Sequence, residues 1–301
     1  MNMADIAIVG SGPAGISAAL NAKIRNKSYY LFGTSALSDK VRRSECISNY
    51  PGVADVGGME LYEKFTDQLS GAGIEITEKR ITGIYNMGTY FALLADQEEF
   101  KARTVILATG VETVRPVPGE RELLGRGVSY CATCDGNLYR GKTIAVICDN
   151  AEMEEEVSYL AELAGKLYYR PLFKGSSFAA ENAEQLSGPL VKILGEKRVS
   201  GICLKDGTEV SVEGVFFLKE SVSPAVLLRG LKVEAGHVEV NRKMETNVKG
   251  CYAAGDCTGT PYQIAKAVGE GNVAAHSAVK YLAEQMIKKP EKEESVRKED
   301  K

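Results

Sequence analysis

Two stretches of this 301-residue chain combine residue types and spacing that can do chemistry. Cys131-Ala132-Thr133-Cys134-Asp135 sets two thiols close enough to open and close as a disulfide. Asp135, directly after the second thiol, is placed either to move a proton at a leaving thiolate or to sit as a surface carboxylate. Zinc is the rival chemistry for such a pair, but it takes four ligands. There is no second CxxC, and His237 and His276 are the only histidines, so no metal site is expected. The second stretch is Gly10-Ser11-Gly12-Pro13-Ala14-Gly15, a G-x-G-x-x-G pattern. Its glycines let the pyrophosphate of a dinucleotide approach backbone N–H groups at a helix N-terminus, where the helix dipole favours an anion.

The elements that must position these residues follow from periodicity. Asp5 to Val9 is an apolar strand, Ile16, Ala19 and Leu20 continue a helical pattern, and Tyr29 to Phe32 closes a βαβ unit. The residues after that second strand are Gly33 and Thr34, not the acid expected on a ribose. Leu61, Phe65 and Leu69 predict an amphipathic helix after Gly58, and Val105 to Gly110 a buried strand ending in glycine. Residues 111–119, with Pro116 and Pro118, read as a linker. A second strand–turn–helix unit starts at Gly141: Ile144 to Ile147, a turn from Cys148 to Met153, then a helix through Leu160 and Leu163. Strands at 199–204 and 215–218 follow, then a short strand into a turn over 249–256, and Pro261 opens a long helix. Residues 288–301 are charged at 11 of 14 positions and read as a disordered tail.

The bulk composition narrows the class. The length suits about two domains, and 37 Lys and Arg against 40 Asp and Glu argue against nucleic acid as a partner. No secretory leader and no long apolar run is present, so a cytoplasmic protein without a membrane partner is expected. Glycine is in surplus at 31 residues without a collagen-like period, which points to close backbone approaches such as phosphate loops. Cys46, Cys148, Cys203, Cys251 and Cys257 are irregularly spaced and are expected to be small buried fillers.

Taken in order, several motifs resemble those of the low-molecular-weight flavoprotein thioredoxin reductases, over residues 4–286. They are Gly10 to Gly15, Asn49-Tyr50-Pro51-Gly52, Ala108-Thr109-Gly110, Cys131 to Gly136, Ala254-Gly255-Asp256-Cys257, Pro261-Tyr262-Gln263 and Gly269-Glu270-Gly271. The resemblance implies an α/β fold of two Rossmann-like units, the second inserted into the first. Residues 1–112 and 241–287 would bind FAD; residues 113–240 would carry the dithiol and a degenerate nicotinamide-type site. FAD contacts are implied for Gly10, Ser11, Gly12, Pro13, Ala14, Gly15, Thr109, Gly110, Gly255 and Ile264, with Asp256 on the ribitol and Asn49 and Gln263 near the isoalloxazine. The same resemblance has Cys134 facing the flavin, Cys131 attacking thioredoxin, Asp135 handling the proton, and the protein forming a homodimer.

One expected feature is missing. Superposing the two βα units sets Cys148, Asn150 and Met153 where Gly10, Gly12 and Gly15 stand. Asp149, Glu152, Glu154, Glu155 and Glu156 crowd the turn, where they would repel a pyrophosphate. Of the family's arginine pair for the 2′-phosphate only Arg170 remains, followed by Pro171. In this the chain is most similar to the ferredoxin-dependent flavin thioredoxin reductases. Reduced ferredoxin is therefore the expected electron donor, with a nicotinamide, a deazaflavin, or a redox sensor without turnover as the alternatives. Tyr262 stands where NADPH-using relatives carry arginine, and its ring is expected near the flavin. A docking patch for an acidic ferredoxin would have to draw on Lys23, Arg25 and Lys27, or on Arg42 and Arg43.

Overall fold

The computed structural model describes residues 3–35, 37–42, 44–95, 98–111, 117–120, 122–149, 151–219 and 224–288. The chain divides into two compact units, Met1–Val111 with Ser223–Lys301, and Glu112–Val222.

The first unit opens with β1 (Ala4–Val9), whose apolar residues are buried. Pro13 then occupies the first turn of α1 (Pro13–Ile24), where its missing N–H costs nothing. The chain returns as β2 (Tyr29–Phe32), parallel to β1 in the register Ile6↔Tyr29 to Val9↔Phe32. After the short α2 (Asp39–Arg42), α3 (Gly58–Gly71) buries Leu61, Phe65 and Leu69 on one face, the set that the periodicity predicts. A hairpin of β3 (Gly83–Asn86) and β4 (Phe91–Ala95) leads antiparallel into β5 (Glu98–Leu107). No periodicity marks this hairpin in the sequence. Phe91, Ala92, Leu93 and Ala95 are all buried, so the strand lacks the polar alternation that marks a half-exposed one.

The second unit contributes β6 (Val128–Ser129), α4 (Ala132–Asp135), β7 (Thr143–Cys148), α5 (Glu154–Leu163), β8 (Lys166–Pro171) and β9 (Ala183–Gln185). A small antiparallel sheet follows, of β10 (Leu190–Leu194), β11 (Gly201–Leu204) and β12 (Glu209–Val210), and then β13 (Gly214–Leu218). Among the described residues the main sheet runs β6-β13-β7-β8-β9, all neighbours parallel. Ile144, Val146, Val157, Leu160, Phe216 and Leu218 form its core against α5.

The chain re-enters the first unit through α6 (Pro224–Leu227), the hairpin β14 (Val233–Glu234) and β15 (His237–Val238), β16 (Cys251–Ala253) and the long α7 (Ile264–Lys288). β5 is long enough to serve two neighbours on one edge: β4 pairs with residues 98–102, and β16 with 105–107 in parallel. β1 pairs in parallel along the other edge. α7 crosses α1 so closely that a Cβ at Gly271 would overlap the Ala14 carbonyl, and Ser17 donates across the crossing to the Val268 carbonyl at 2.7 Å.

Two expectations meet differences. The contact-defined boundary falls at 222/223, so residues 224–240 pack with the first unit, α6 near β3 and β15 against the turn Asp256–Thr258. Pro261 does not open α7; it follows a cis Thr260–Pro261 peptide, and the helix begins at Ile264, with the Ala267 N–H on the Gln263 carbonyl at 3.0 Å. Most of the linker, residues 112–116, and the tail beyond residue 288 lie outside the described residues.

Candidate functional site

The carboxyl ends of β1, β5 and β16 lie side by side in the parallel part of a mixed sheet, and each runs directly into a motif of the sequence. β1 delivers Gly10 to Gly15, β5 delivers Ala108-Thr109-Gly110, and β16 delivers Ala254-Gly255-Asp256. The carboxyl edge of a parallel sheet is where open α/β folds bind ligands. Gly10 has φ +118°, and a Cβ there would overlap the Ala108 carbonyl; one at Gly15 would overlap the Gly10 carbonyl. Gly12, by contrast, has only Ser38 Cβ at 4.0 Å in front of it. Two glycines thus close the turn and the third leaves a clear approach to the N-terminus of α1, whose first turn carries no acid and no side-chain cap. Such an opening has the room and the dipole to cradle a phosphate. Gly33 is explained by the same turn. Ser11 Oγ donates to the Thr34 carbonyl at 2.9 Å and accepts the Thr34 N–H at 3.1 Å, filling the volume a side chain at Gly33 would need.

The turn bearing Asp256 is clamped by a pair to which sequence reasoning assigned no role. Lys266 Nζ lies 2.9 Å from the Gly255 carbonyl, 2.8 Å from the Gly259 carbonyl and 3.2 Å from Glu270, while Glu270 accepts the Gly255 N–H at 2.8 Å. The i, i+4 spacing of Lys266 and Glu270 on α7 was the available signal. Asn49 and Gln263, expected to share a ligand, are joined by a 2.7 Å hydrogen bond. Tyr262 is 45% exposed, and its hydroxyl meets His237 Nε2 at 2.6 Å, which gives that histidine a partner the sequence did not suggest.

In the second unit Cys131 lies between β6 and α4, and Cys134 and Asp135 end α4; the Cys134 side chain is outside the description. Cys131 is buried and disulfide-bonded. Ser129, also missed in the sequence, organises this turn. Its Oγ accepts the Cys131 N–H at 3.1 Å and donates its proton to Asp135 Oδ2 at 2.6 Å, aiming that carboxylate at the dithiol turn. Of the other cysteines, Cys148, Cys251 and Cys257 are buried, but Cys203 is half-buried and Cys46 exposed, so the expectation of buried fillers holds for three of five. Burial pushes the Cys251 thiol up to about 12 and Cys257 to about 11, which keeps both protonated at neutral pH.

The second βα turn is built differently from the first. Cys148 is fully buried at the end of β7, a 3-10 turn spans Ala151–Met153, and α5 starts only at Glu154; Asn150 lies outside the described residues. Glu154, Glu155 and Glu156 occupy the first turn of α5. Glu154 accepts hydrogen bonds from the Tyr169 hydroxyl at 2.9 Å and from Ser176. Burial works against its charged form, but these donors hold its carboxyl below the usual value. Arg170 is tied to the Leu186 carbonyl at 3.3 Å. Among the described residues no group of three or more His, Cys, Asp or Glu could hold a metal, and no helix is long and apolar enough to cross a membrane.

Comparison with known proteins agrees with this geometry. The family described as pyridine nucleotide-disulphide oxidoreductase matches residues 4–147 and 183–271. Thioredoxin reductase from Bacillus subtilis is 33% identical over 300 residues, covering 93% of this chain and 95% of the relative. That from Helicobacter pylori is 35% identical over 308 residues, covering 93% and 99%. Among solved structures, a ferredoxin-flavin thioredoxin reductase from Clostridium acetobutylicum is 48% identical with a TM-score of 0.87, covering 95% of this chain and all of that one. A thioredoxin reductase from Gloeobacter violaceus is 30% identical with a TM-score of 0.75, covering 93% and 94%. Thioredoxin reductases of this family are FAD flavoproteins, and the open approach at Gly12, with an uncapped α1 behind it, fits that dinucleotide. The chain belongs to the pyridine nucleotide-disulphide oxidoreductases and, within them, to the thioredoxin reductases.

Proposed function

We propose that this thioredoxin reductase takes its electrons from reduced ferredoxin and passes them to thioredoxin through Cys131 and Cys134. One observation supports the donor above the rest. The turn after β7, where a nicotinamide dinucleotide would need glycines and a free helix end, has a buried Cys148 and three acids in the first turn of α5. The likeness to the ferredoxin-flavin enzyme of Clostridium acetobutylicum supports the same donor.

FAD would be held by the backbone of Gly10 to Gly15, by Thr109, Gly110, Gly255, Asp256 and Ile264, and by Asn49, Tyr262 and Gln263. When bound it supplies the chemistry that joins a one-electron donor to two-electron reduction of a disulfide. The remaining steps belong to the chain. The Cys131 thiolate attacks one sulfur of the thioredoxin disulfide and the other thioredoxin sulfur leaves as a thiolate. Cys134 then attacks Cys131, so the chain's disulfide re-forms as thioredoxin departs as a dithiol. Asp135, held by Ser129, moves the proton that one leaving sulfur needs. In this reading residues 1–112 with 241–287 serve FAD, the inserted segment serves the dithiol, and the enzyme acts as a cytoplasmic homodimer.

The test is anaerobic mixing of the oxidised holoenzyme with NADPH, NADH and reduced ferredoxin in turn, followed at the flavin absorption band. Bleaching by reduced ferredoxin alone is expected. Full bleaching by NADPH at turnover rates would overturn the donor while leaving the reductase class intact.

A further inference from the structure

The second unit holds a charged pair where its hydration cost is greatest. Glu120 and Lys219 have side chains 0% and 1% exposed, with Lys219 Nζ 2.5 Å from Glu120 Oε1. Dehydrating each ion is costly, and an apolar pair of similar volume often stabilises a fold as well or better. What a buried ion pair adds over an apolar one is direction. Here the direction is specific. The Glu120 carboxylate gathers donors from three separated segments: the Val117 N–H on Oε2 at 3.0 Å, and both Lys219 and the Tyr130 hydroxyl, at 2.6 Å, on Oε1. Lys219 follows directly on β13, which pairs with β6 through Phe216↔Ser129, and Tyr130 follows directly on β6. The ammonium also lies over the rings of Phe217, at 4.6 Å, and Tyr130, at 5.7 Å. Tyr130 is thus held by its hydroxyl and by its ring face, and the next residue is Cys131.

We propose that Glu120 and Lys219 are positioning residues for the redox dithiol: by holding Tyr130 they fix Cys131 at the end of β6. This rests on the reading of Cys131 as a redox thiol, but not on the identity of the electron donor or of the protein substrate. A fixed Cys131 raises the effective concentration of one thiol at the other and so favours the closed disulfide. Releasing it shifts the equilibrium toward the dithiol and exposes a thiol that is now buried.

The test uses the full-length holoenzyme with Tyr130→Phe, which removes only the hydroxyl, Lys219→Arg, which keeps the charge, and the double variant Glu120→Leu with Lys219→Met, which replaces the pair by apolar groups, removes the acceptor of the Tyr130 hydroxyl and leaves no unpaired charge. Two quantities are read well below the melting temperature: the dithiol–disulfide equilibrium against dithiothreitol, and the alkylation rate of Cys131 after reduction, followed by peptide mass. In Y130F and the double variant the equilibrium constant is expected to move about tenfold toward the dithiol, equivalent to ~1.4 kcal/mol, with faster alkylation. Lys219→Arg is expected to stay near wild type. Wild-type equilibrium and alkylation in both Y130F and the double variant, with only the melting temperature changed, would reduce the pair to a structural feature and overturn the proposal. Failure of Cys131 to become alkylatable in the reduced wild-type protein would instead overturn the dithiol reading on which it rests.

Discussion

In the proposed mechanism Asp135 helps a thiol only while its carboxylate stays turned toward the dithiol, and the 2.6 Å bond from Ser129 restrains that carboxylate. Proton transfer by a positioned acid is worth about 10²- to 10⁴-fold. Asp135→Asn is therefore expected to slow thioredoxin reduction by about 10²-fold at neutral pH with the flavin spectrum unchanged. Ser129→Ala keeps the carboxylate but frees its direction, so a smaller loss of about tenfold is expected, the scale of one hydrogen bond to a charged group. A wild-type rate in S129A would mean that Asp135 needs no anchor. The dithiol and Asp135 were readable in the sequence because they are contiguous. Ser129 was not, because its role depends on how the turn folds back to bring Asp135 to it. Cys46 could not be placed from its identity either: cysteine is usually buried, but this one lies on an exposed loop.

Two strand–turn–helix elements of like topology have opposite electrostatics. α1 starts with no acid in its first turn; α5 starts with Glu154, Glu155 and Glu156. Both facts were legible, since the turn glycines and the acids are consecutive in sequence. What α5 does with one acid was not: Glu154 reaches Tyr169 on β8 and Ser176 beyond it, and these contacts exist only once β7 and β8 pair. Because Glu154 is held below its ordinary value of 4.5, the folded state favours the carboxylate. The resulting stability is fully present above pH 4.5 and is lost as pH falls through the lowered folded value. The difference in melting temperature between wild type and Glu154→Gln should accordingly be full at pH 7 and close on acidification below pH 4.5. A difference that stays constant across that range would remove the carboxylate from any part in holding the loop after β8.

At the scale of the whole molecule, the proposed function puts flavin holding and disulfide exchange in different compact units, so the two should be separable by single substitutions. Gly15→Ala sets a methyl group on the Gly10 carbonyl, so FAD binding is expected to weaken by about ten- to a hundredfold, the scale of an overpacked core, read as flavin lost on gel filtration. Cys131→Ser should keep wild-type flavin content and abolish thioredoxin reduction. Retained turnover in C131S would sink the assignment of the dithiol. The sequence by itself determined the two chemical motifs and the contrast between their turns. Those rest on local sterics and charge: a glycine either admits a backbone approach or does not, and two cysteines three positions apart are neighbours in any compact fold. Tertiary structure alone decided which distant residues support them. Asn49 meets Gln263 across 214 positions and Glu120 meets Lys219 across 99, while β1, β5 and β16 bring three loops to one sheet edge. No local pattern encodes such pairings, because a buried charge or a shared hydrogen bond is set by strand order, and strand order is fixed only when the whole core packs.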